Sequence, residues 1–409
     1  MIPFSPPRID QKTIDEVTNA LQSGWITTGP RTKKFEAALA DFCGINNVLC
    51  VNSASAGLEL LLRWFGVGTG DEVIIPAYTY AATANVVVHC GAKPIMVDCN
   101  VADYNLNVDA VRKAITNRTK VIIPVDIGGF PCDYDELNAL VQEKNSQKLF
   151  SPETENQRKL NRILILSDAA HSVGAMYKGR MTGCLTDVSV FSFHAVKNLT
   201  TAEGGAICLN LPPPFDNEVV YKELNIKSLH GQTKDALAKM QIGNWQYDIV
   251  EAGYKCNMTD IQAAIGLVEL SRYKDDMLVK RKQIFDAYSH AFEKETWAEI
   301  PVYETDDKKS SYHVYMLRVK NSTEPQRNEI MQGIFDRQIS VNVHFIPLPM
   351  MSFYKKMGYD IKDYPQSYLR YSQEISLPVY YDLSEKNVET VVKAVKNAVK
   401  SILGQTLSY

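Results

Sequence analysis

Short, largely apolar runs recur through the first half of the chain. They are Val48-Leu49-Cys50-Val51, Glu72-Val73-Ile74-Ile75-Pro76, Pro94-Ile95-Met96-Val97, Val121-Ile122-Ile123-Pro124-Val125, Ile163-Leu164-Ile165-Leu166, Val188-Ser189-Val190-Phe191 and Ala206-Ile207-Cys208-Leu209. Helix-like stretches lie between the early ones, at Leu58 to Phe65, around Thr83 to Cys90, and at Val108 to Ile115. A run that is apolar throughout belongs to a strand buried on both faces, and parallel neighbours need a crossover that a helix supplies. The alternation therefore confines the chain to an α/β fold with a mainly parallel, doubly wound sheet of about seven strands.

Open sheets of this kind bind ligands at the carboxyl ends of their strands, so the residues that follow each run carry the chemistry. After Ile163-Leu164-Ile165-Leu166 come Ser167-Asp168-Ala169-Ala170-His171-Ser172. A carboxylate there can pair with the protonated ring nitrogen of pyridoxal phosphate (PLP). By itself Asp168 reads equally as a helix N-cap. After Val188-Ser189-Val190-Phe191 comes Ser192-Phe193-His194-Ala195-Val196-Lys197-Asn198-Leu199-Thr200-Thr201-Ala202-Glu203-Gly204-Gly205, with a single lysine among small and apolar residues. A desolvated lysine becomes a nucleophile near neutral pH; the plain alternative is a solvated lysine on a turn. After Val48-Leu49-Cys50-Val51, the small residues Asn52-Ser53-Ala54-Ser55-Ala56-Gly57 lead into a helix. Free N–H groups and the helix dipole make such an N-terminus hospitable to phosphate, though many α/β units share the pattern. Gly66-Val67-Gly68-Thr69-Gly70 is not a dinucleotide loop, because it follows a helix and precedes a strand.

The Ser192–Gly205 segment and Ser-Asp-Ala-Ala-His-Ser together resemble the DegT/DnrJ/StrS family of PLP-dependent sugar-nucleotide aminotransferases, and the resemblance covers nearly the whole chain. It implies a fold-type I PLP-dependent transferase, with a large domain over residues 1–273 and a smaller α+β C-terminal domain over 274–409. It implies that Lys197 holds the cofactor covalently, that Asp168 pairs with the ring nitrogen, that His171 neighbours the ring hydroxyl and that Ser192 binds the phosphate. Ala54 and Ser55 stand where relatives carry Gly-Thr, so the hydroxyl is kept and the glycine is not. Tyr80, rather than Tyr78, is the implied stacking aromatic, with core packing as the alternative. Lys255 and Asn257 fall in a segment, Gly253 to Gly266, that in relatives reaches a neighbouring subunit's site; this is the basis for expecting a homodimer with shared active sites. Substrate contacts are implied for Trp25, Thr28, His313, Tyr315 and His344. The activity implied is transfer of an amino group, from L-glutamate, to a nucleotide-linked keto-sugar such as a UDP-4-keto-sugar, in cell-surface polysaccharide or glycan synthesis. Two rivals share the fold: a PLP-dependent sugar dehydratase, which in relatives replaces the lysine by histidine, and a non-catalytic regulator.

Composition agrees with a small-molecule enzyme. The chain has 409 residues, 45% apolar and 22% charged, with a net charge of −3, a balance that excludes a strongly basic nucleic-acid or membrane-surface binder. Its 8 cysteines are scattered with no C-x-x-C pair, so neither a zinc site nor a redox pair is expected and the thiols read as reduced core residues. No basic-then-apolar leader or membrane-length run is present, and a cytoplasmic location is expected. The polar stretch 143–162 reads as a surface insertion. Thr259 with Gln262 forms a capping box that starts a helix, and Ser384 caps a last amphipathic helix expected to end at Gly404.

Overall fold

The computed structural model describes residues 1–234 and 245–406. Strands β1 (Asn47–Val51), β2 (Glu72–Pro76), β3 (Lys93–Val97), β4 (Thr119–Ile122), β5 (Leu164–Asp168), the short pair β6 (Met176–Tyr177) and β7 (Arg180–Met181), β8 (Val188–Ser192) and β9 (Gly205–Leu209) follow the apolar runs closely. Seven of them form one sheet in the order β1-β9-β8-β5-β4-β2-β3. Pairings from β8 to β3 are parallel, whereas β9 runs antiparallel to both β1 and β8. The mixed α/β class and the mainly parallel seven-stranded sheet expected from sequence are what the chain adopts.

Helices α1 (Gln11–Gln22), α2 (Pro30–Cys43), α3 (Ala54–Phe65) and α4 (Ala81–His89) open the chain. α3 matters most for the site. Ser53 caps it, its Oγ accepting from Ala56 N–H at 3.1 Å, and its apolar face, including Leu58, Leu61, Leu62 and Phe65, is fully buried. Gly57 lets α3 press on the sheet, since a Cβ there would stand 2.9 Å from Val190 and 3.1 Å from Ile207. The stretch 143–162 lies at the surface as two short helices, Lys144–Leu149 and Glu155–Leu160, yet its middle turns inward. Thr154 Oγ1 and Gln157 Nε2 donate to the Phe65 carbonyl at 3.0 and 3.1 Å, and Asn156 Nδ2 donates to that of Trp64 at 2.9 Å. Carbonyls that the last turn of α3 leaves without intrahelical partners are thereby satisfied.

A second apolar core, built from Ile284, Phe285, Tyr288, Leu317, Ile330, Ile375, Val391 and Val395 among others, also takes in Ile2. It packs against a three-stranded sheet of β10 (Ala298–Glu299), β12 (Tyr315–Val319) and β13 (Glu374–Leu377). A further strand, β11 (Lys308–Lys309), pairs with β6. The Thr259 capping box is formed as expected. The last helix, Glu385–Thr406, runs past Gly404 instead of stopping there. All 8 cysteines are free and buried. Among the described residues no helix is long and apolar enough to cross a membrane, and no His, Cys, Asp and Glu cluster could hold a metal ion.

Candidate active site

Five turns at the carboxyl ends of parallel strands, together with the Gly204-Gly205 entry to β9, enclose a cavity of about 340 Å³. Ser53 to Ser55 follow β1, Thr79 and Tyr80 follow β2, Val125 follows β4, Asp168 to His171 leave β5, and Ser192 to Lys197 leave β8. His313, His344 and Phe345 close it from the side of the second core.

Asp168 ends the central strand, 5% exposed. Its Oδ2 accepts from Thr83 Oγ1 at 2.8 Å, and Thr83 Oγ1 is in turn 3.0 Å from Thr79 Oγ1. Its Oδ1 accepts from Ala170 N–H at 3.3 Å. Burial pushes its carboxyl above the usual range, against the pull of Thr83, Ala170 and Lys197. A carboxylate so placed gains from a cation brought beside it. Lys197 is the converse case. Burial pushes its ammonium down to about 8, while Asp168 pulls it upward. Its Nζ has no hydrogen-bond or ion-pair partner among the described residues.

The N-terminus of α3 faces the same cavity through Ala54 and Ser55. Gly205 allows that approach: a Cβ there would sit 2.6 Å from Ala54 N and 2.7 Å from the Ser53 carbonyl carbon. Ser192 Oγ accepts from His194 N–H at 3.4 Å and keeps its own hydrogen for a ligand. An anion-binding helix end, two hydroxyls, an unpaired desolvated amine and a buried carboxylate are the parts that PLP requires, so the residues present fit it.

Three histidines line the opposite wall. His171 Nδ1 accepts from Gly128 N–H at 3.3 Å, its ring stacks on Phe345 at 5.7 Å and 29°, and it meets His313 at 4.4 Å between centroids. His313 Nδ1 lies 2.8 Å from Asn198 Oδ1, which makes that nitrogen the donor; Asn198 Nδ2 donates to the Ser311 carbonyl at 2.7 Å. Burial first, then the Lys197 charge among others, holds both imidazoles well below their ordinary value, so both are neutral. His344 is pushed down to about 3 for the same two reasons.

Of the residues named from sequence, Ala54, Ser55, Tyr80, Asp168, His171, Ser192, Lys197, His313 and His344 line this one cavity. Tyr80 stays 64% exposed, with its ring 5.8 Å from Phe345. Lys255, Asn257, Thr28 and Trp25 do not line it. Lys255 Nζ donates to Asn257 Oδ1, Asn257 Nδ2 to Thr28 Oγ1 at 2.6 Å, and Thr28 Oγ1 to the Met258 carbonyl at 2.6 Å, with Trp25 beside Gly29 next to them. Tyr315 is a correction. It is fully buried in the second core against Phe285 and Tyr288, its hydroxyl 3.1 Å from Ser289 Oγ, so it touches no substrate. The reason is strand alternation: Tyr315, Leu317 and Val319 face that core, while Val314 and Met316 face the other way. Sequence reasoning missed Thr79, Thr83, Glu203 and Phe345. Thr83 opens no motif, and its role comes only from α4 placing it over Asp168.

Geometry and chemistry together define a PLP-dependent transferase of fold type I. The comparisons narrow that class. The model of the DegT/DnrJ/EryC1/StrS aminotransferase family matches residues 7–150 and 152–396, and the chain belongs to that family. The spore coat polysaccharide biosynthesis protein SpsC of Bacillus subtilis is 37% identical over 405 residues, covering 98% of this chain and 97% of that one. A Streptococcus pneumoniae protein described as a sugar aminotransferase, solved in its PMP form, is 46% identical with a TM-score of 0.94, covering 98% and 100% of the two chains. Helicobacter pylori PseC, an aminotransferase involved in the biosynthesis of pseudoaminic acid, is 27% identical with a TM-score of 0.84, covering 98% and 99%. The protein is a PLP-dependent sugar aminotransferase with homologues in polysaccharide biosynthesis.

Proposed function

We propose that the enzyme moves an amino group from L-glutamate to a nucleotide-linked keto-sugar, of the UDP-4-keto class, for a cell-surface polysaccharide or glycan, and that it works in the cytoplasm as a homodimer. The observation that carries the transaminase chemistry is the meeting of Lys197 and Asp168 in one cavity at the N-terminus of α3. PLP, when bound, supplies an electron sink for a substrate carbon that loses a proton. The chain's own residues then have defined tasks. The α3 N–H groups with Ser55 and Ser192 hold the phosphate, and Asp168 keeps a proton on the ring nitrogen. His171, on the cavity wall, would border the ring hydroxyl. With PLP bound, Lys197 Nζ would be the base that takes and returns the proton at the substrate carbon.

The homodimer is supported by a shortfall of charge. Among the described residues Lys197 is the only lysine or arginine that lines the cavity, so their lining offers a dianionic phosphate no other fixed cation. Lys255, exposed and braced by Asn257, is the candidate cation from a second copy. The division into residues 1–273 and 274–409 is likewise our reading, supported by a second core that, Ile2 apart, is built from residues beyond 274. SpsC and PseC support the pathway class through what their names state.

The test is the visible spectrum of the PLP-loaded enzyme before and after L-glutamate, followed by a UDP-4-keto-sugar or the free sugar. Glutamate should bleach the Schiff-base band and the nucleotide-linked ketone should restore it. Bleaching by a different amino acid alone would overturn the donor, and restoration by the free sugar as readily as by the nucleotide form would overturn the substrate class.

A further inference from the structure

β13 runs beside the segment that carries His344, and two of its side chains on one face, Glu374 and Ser376, both 0% exposed, reach toward that histidine. Asn342 and Ser376 exchange backbone hydrogen bonds at 3.1 and 2.8 Å, which locks the register. The His344 N–H donates to Glu374 Oε2 at 3.0 Å, its ring Nδ1 lies 2.9 Å from Ser376 Oγ, and that oxygen lies 2.5 Å from Glu374 Oε1. Phe4 stacks on the ring at 5.4 Å and 17°, and Tyr78 donates to the His344 carbonyl at 2.7 Å. Among the described residues Nε2 has no partner, and it belongs to a residue that lines the cavity beside Lys197.

A serine hydroxyl has one hydrogen to give. With Glu374 ionised, that hydrogen goes to Oε1; Nδ1 must then be the donor to Oγ, and Nε2 is a bare acceptor. With Glu374 protonated on Oε1, the order reverses: Glu374 donates to Oγ, Oγ donates to Nδ1, and Nε2 carries the hydrogen. We propose that Glu374, acting through Ser376, sets the tautomer of His344 and thereby decides whether Nε2 donates or accepts a hydrogen bond in the active-site cavity. On ionisation the Glu374 proton moves to Oγ, the former Oγ hydrogen passes to Nδ1, and the Nε2 proton leaves to the cavity, so one proton is released and only O–H and N–H bonds change. Glu374 and Ser376 are positioning residues in this scheme, since neither lines the cavity.

Burial pushes the Glu374 carboxyl up to about 8, against the stabilising effect of Ser376, the His344 N–H and Arg327, while His344 itself stays neutral. The other groups facing the pair hold still or are accounted for. Arg327 spends Nη1 on the Tyr371 and Glu374 carbonyls; burial raises the Tyr78 and Tyr104 phenols; Arg318, across the strand, is engaged with Glu299 and Gln373. His171 and His313 face His344 as neutral rings, and the Lys197 ammonium titrates in the same range as Glu374 only while it is free of cofactor. The consequence for turnover rests on the sugar aminotransferase reading: an Nε2 donor favours a keto or carboxylate oxygen, and an Nε2 acceptor favours a sugar hydroxyl or an ammonium. The relay itself does not rest on it.

The experiment is ring ¹H–¹⁵N NMR of the full-length holoenzyme labelled at its 7 histidines, taken across the pH range in which Glu374 titrates, with His344 assigned by its absence in His344→Gln. The Nε2–H pattern should pass to Nδ1–H with a midpoint near 8. Ser376→Ala and Glu374→Gln should each abolish the transition. A tautomer that is constant in the wild type would overturn the proposal, as would an unchanged transition in Ser376→Ala. A different sugar or donor would leave the NMR result untouched, so the two readings fail separately.

Discussion

The depressed Lys197 ammonium makes a quantitative claim about how the apoenzyme captures its cofactor. A group at about 8 is uncharged in roughly 10% of molecules at pH 7, against roughly 0.04% for an ordinary lysine near 10.4, a gain of about 250-fold in reactive amine. The covalent capture of PLP should therefore rise about tenfold from pH 7 toward a plateau above pH 9. Asp168 raises the Lys197 value, so Asp168→Asn should move the profile to lower pH, even as it weakens cofactor retention. The assay is stopped-flow absorbance of PLP added to apoenzyme, with borohydride trapping and peptide mapping to place the adduct on Lys197. A midpoint at or above about 10, or an alkaline shift in Asp168→Asn, would refute the reasoning. The same shift bears on stability. Because the folded value lies below the unfolded one, the unfolded chain binds more protons between about 8 and 10.4, and this group's contribution to apoenzyme stability rises with pH across that window.

Three further outcomes follow from the geometry. Thr83→Val keeps the shape of α4 but removes the hydrogen given to Asp168 Oδ2; a hydrogen bond to a charged group contributes about 1.5–3 kcal/mol, so PLP affinity measured by fluorescence titration should fall by roughly tenfold or more with the melting temperature little changed. Gly205→Ala forces a Cβ against the backbone of Ser53 and Ala54, with an overpacking cost of about 1–3 kcal/mol; PLP binding should weaken far more than binding of pyridoxal, which lacks the phosphate, and equal loss of both would contradict the assignment of that corner. Gln157→Ala leaves the end of α3 and the Glu153 N–H underserved, and urea unfolding should show a loss of about 1–3 kcal/mol.

What was legible in the sequence was whatever depends on neighbours along the chain. Apolar runs located the sheet strands because burial on both faces writes itself into consecutive residues, and the Ser192–Gly205 segment located the lysine. Strand order was not legible: nothing in Gly205-Ala206-Ile207-Cys208-Leu209 says that β9 inserts antiparallel between β1 and β8. The same gap accounts for the site. Thr83 is unremarkable in sequence and acquires its role when α4 sets it against Asp168. Tyr315 looked like a contact because the family resemblance places substrate contacts on its strand, yet the strand turns its ring into the second core. Residues 143–162 looked like free polar chain because side chains that satisfy another element's carbonyls have the same composition as side chains that satisfy water.

That last segment changes how the α3 end of the cavity is to be regarded. α3 is twelve residues long, roughly 18 Å at 1.5 Å per residue, and it is pinned at both extremities: by Ser53 and the bare face of Gly205 at one, by Thr154, Asn156 and Gln157 at the other. A rod clamped only at its working tip can pivot, whereas one clamped at both ends keeps its aim. The α3 amides that face the cavity are thus held in alignment from the opposite end of the helix.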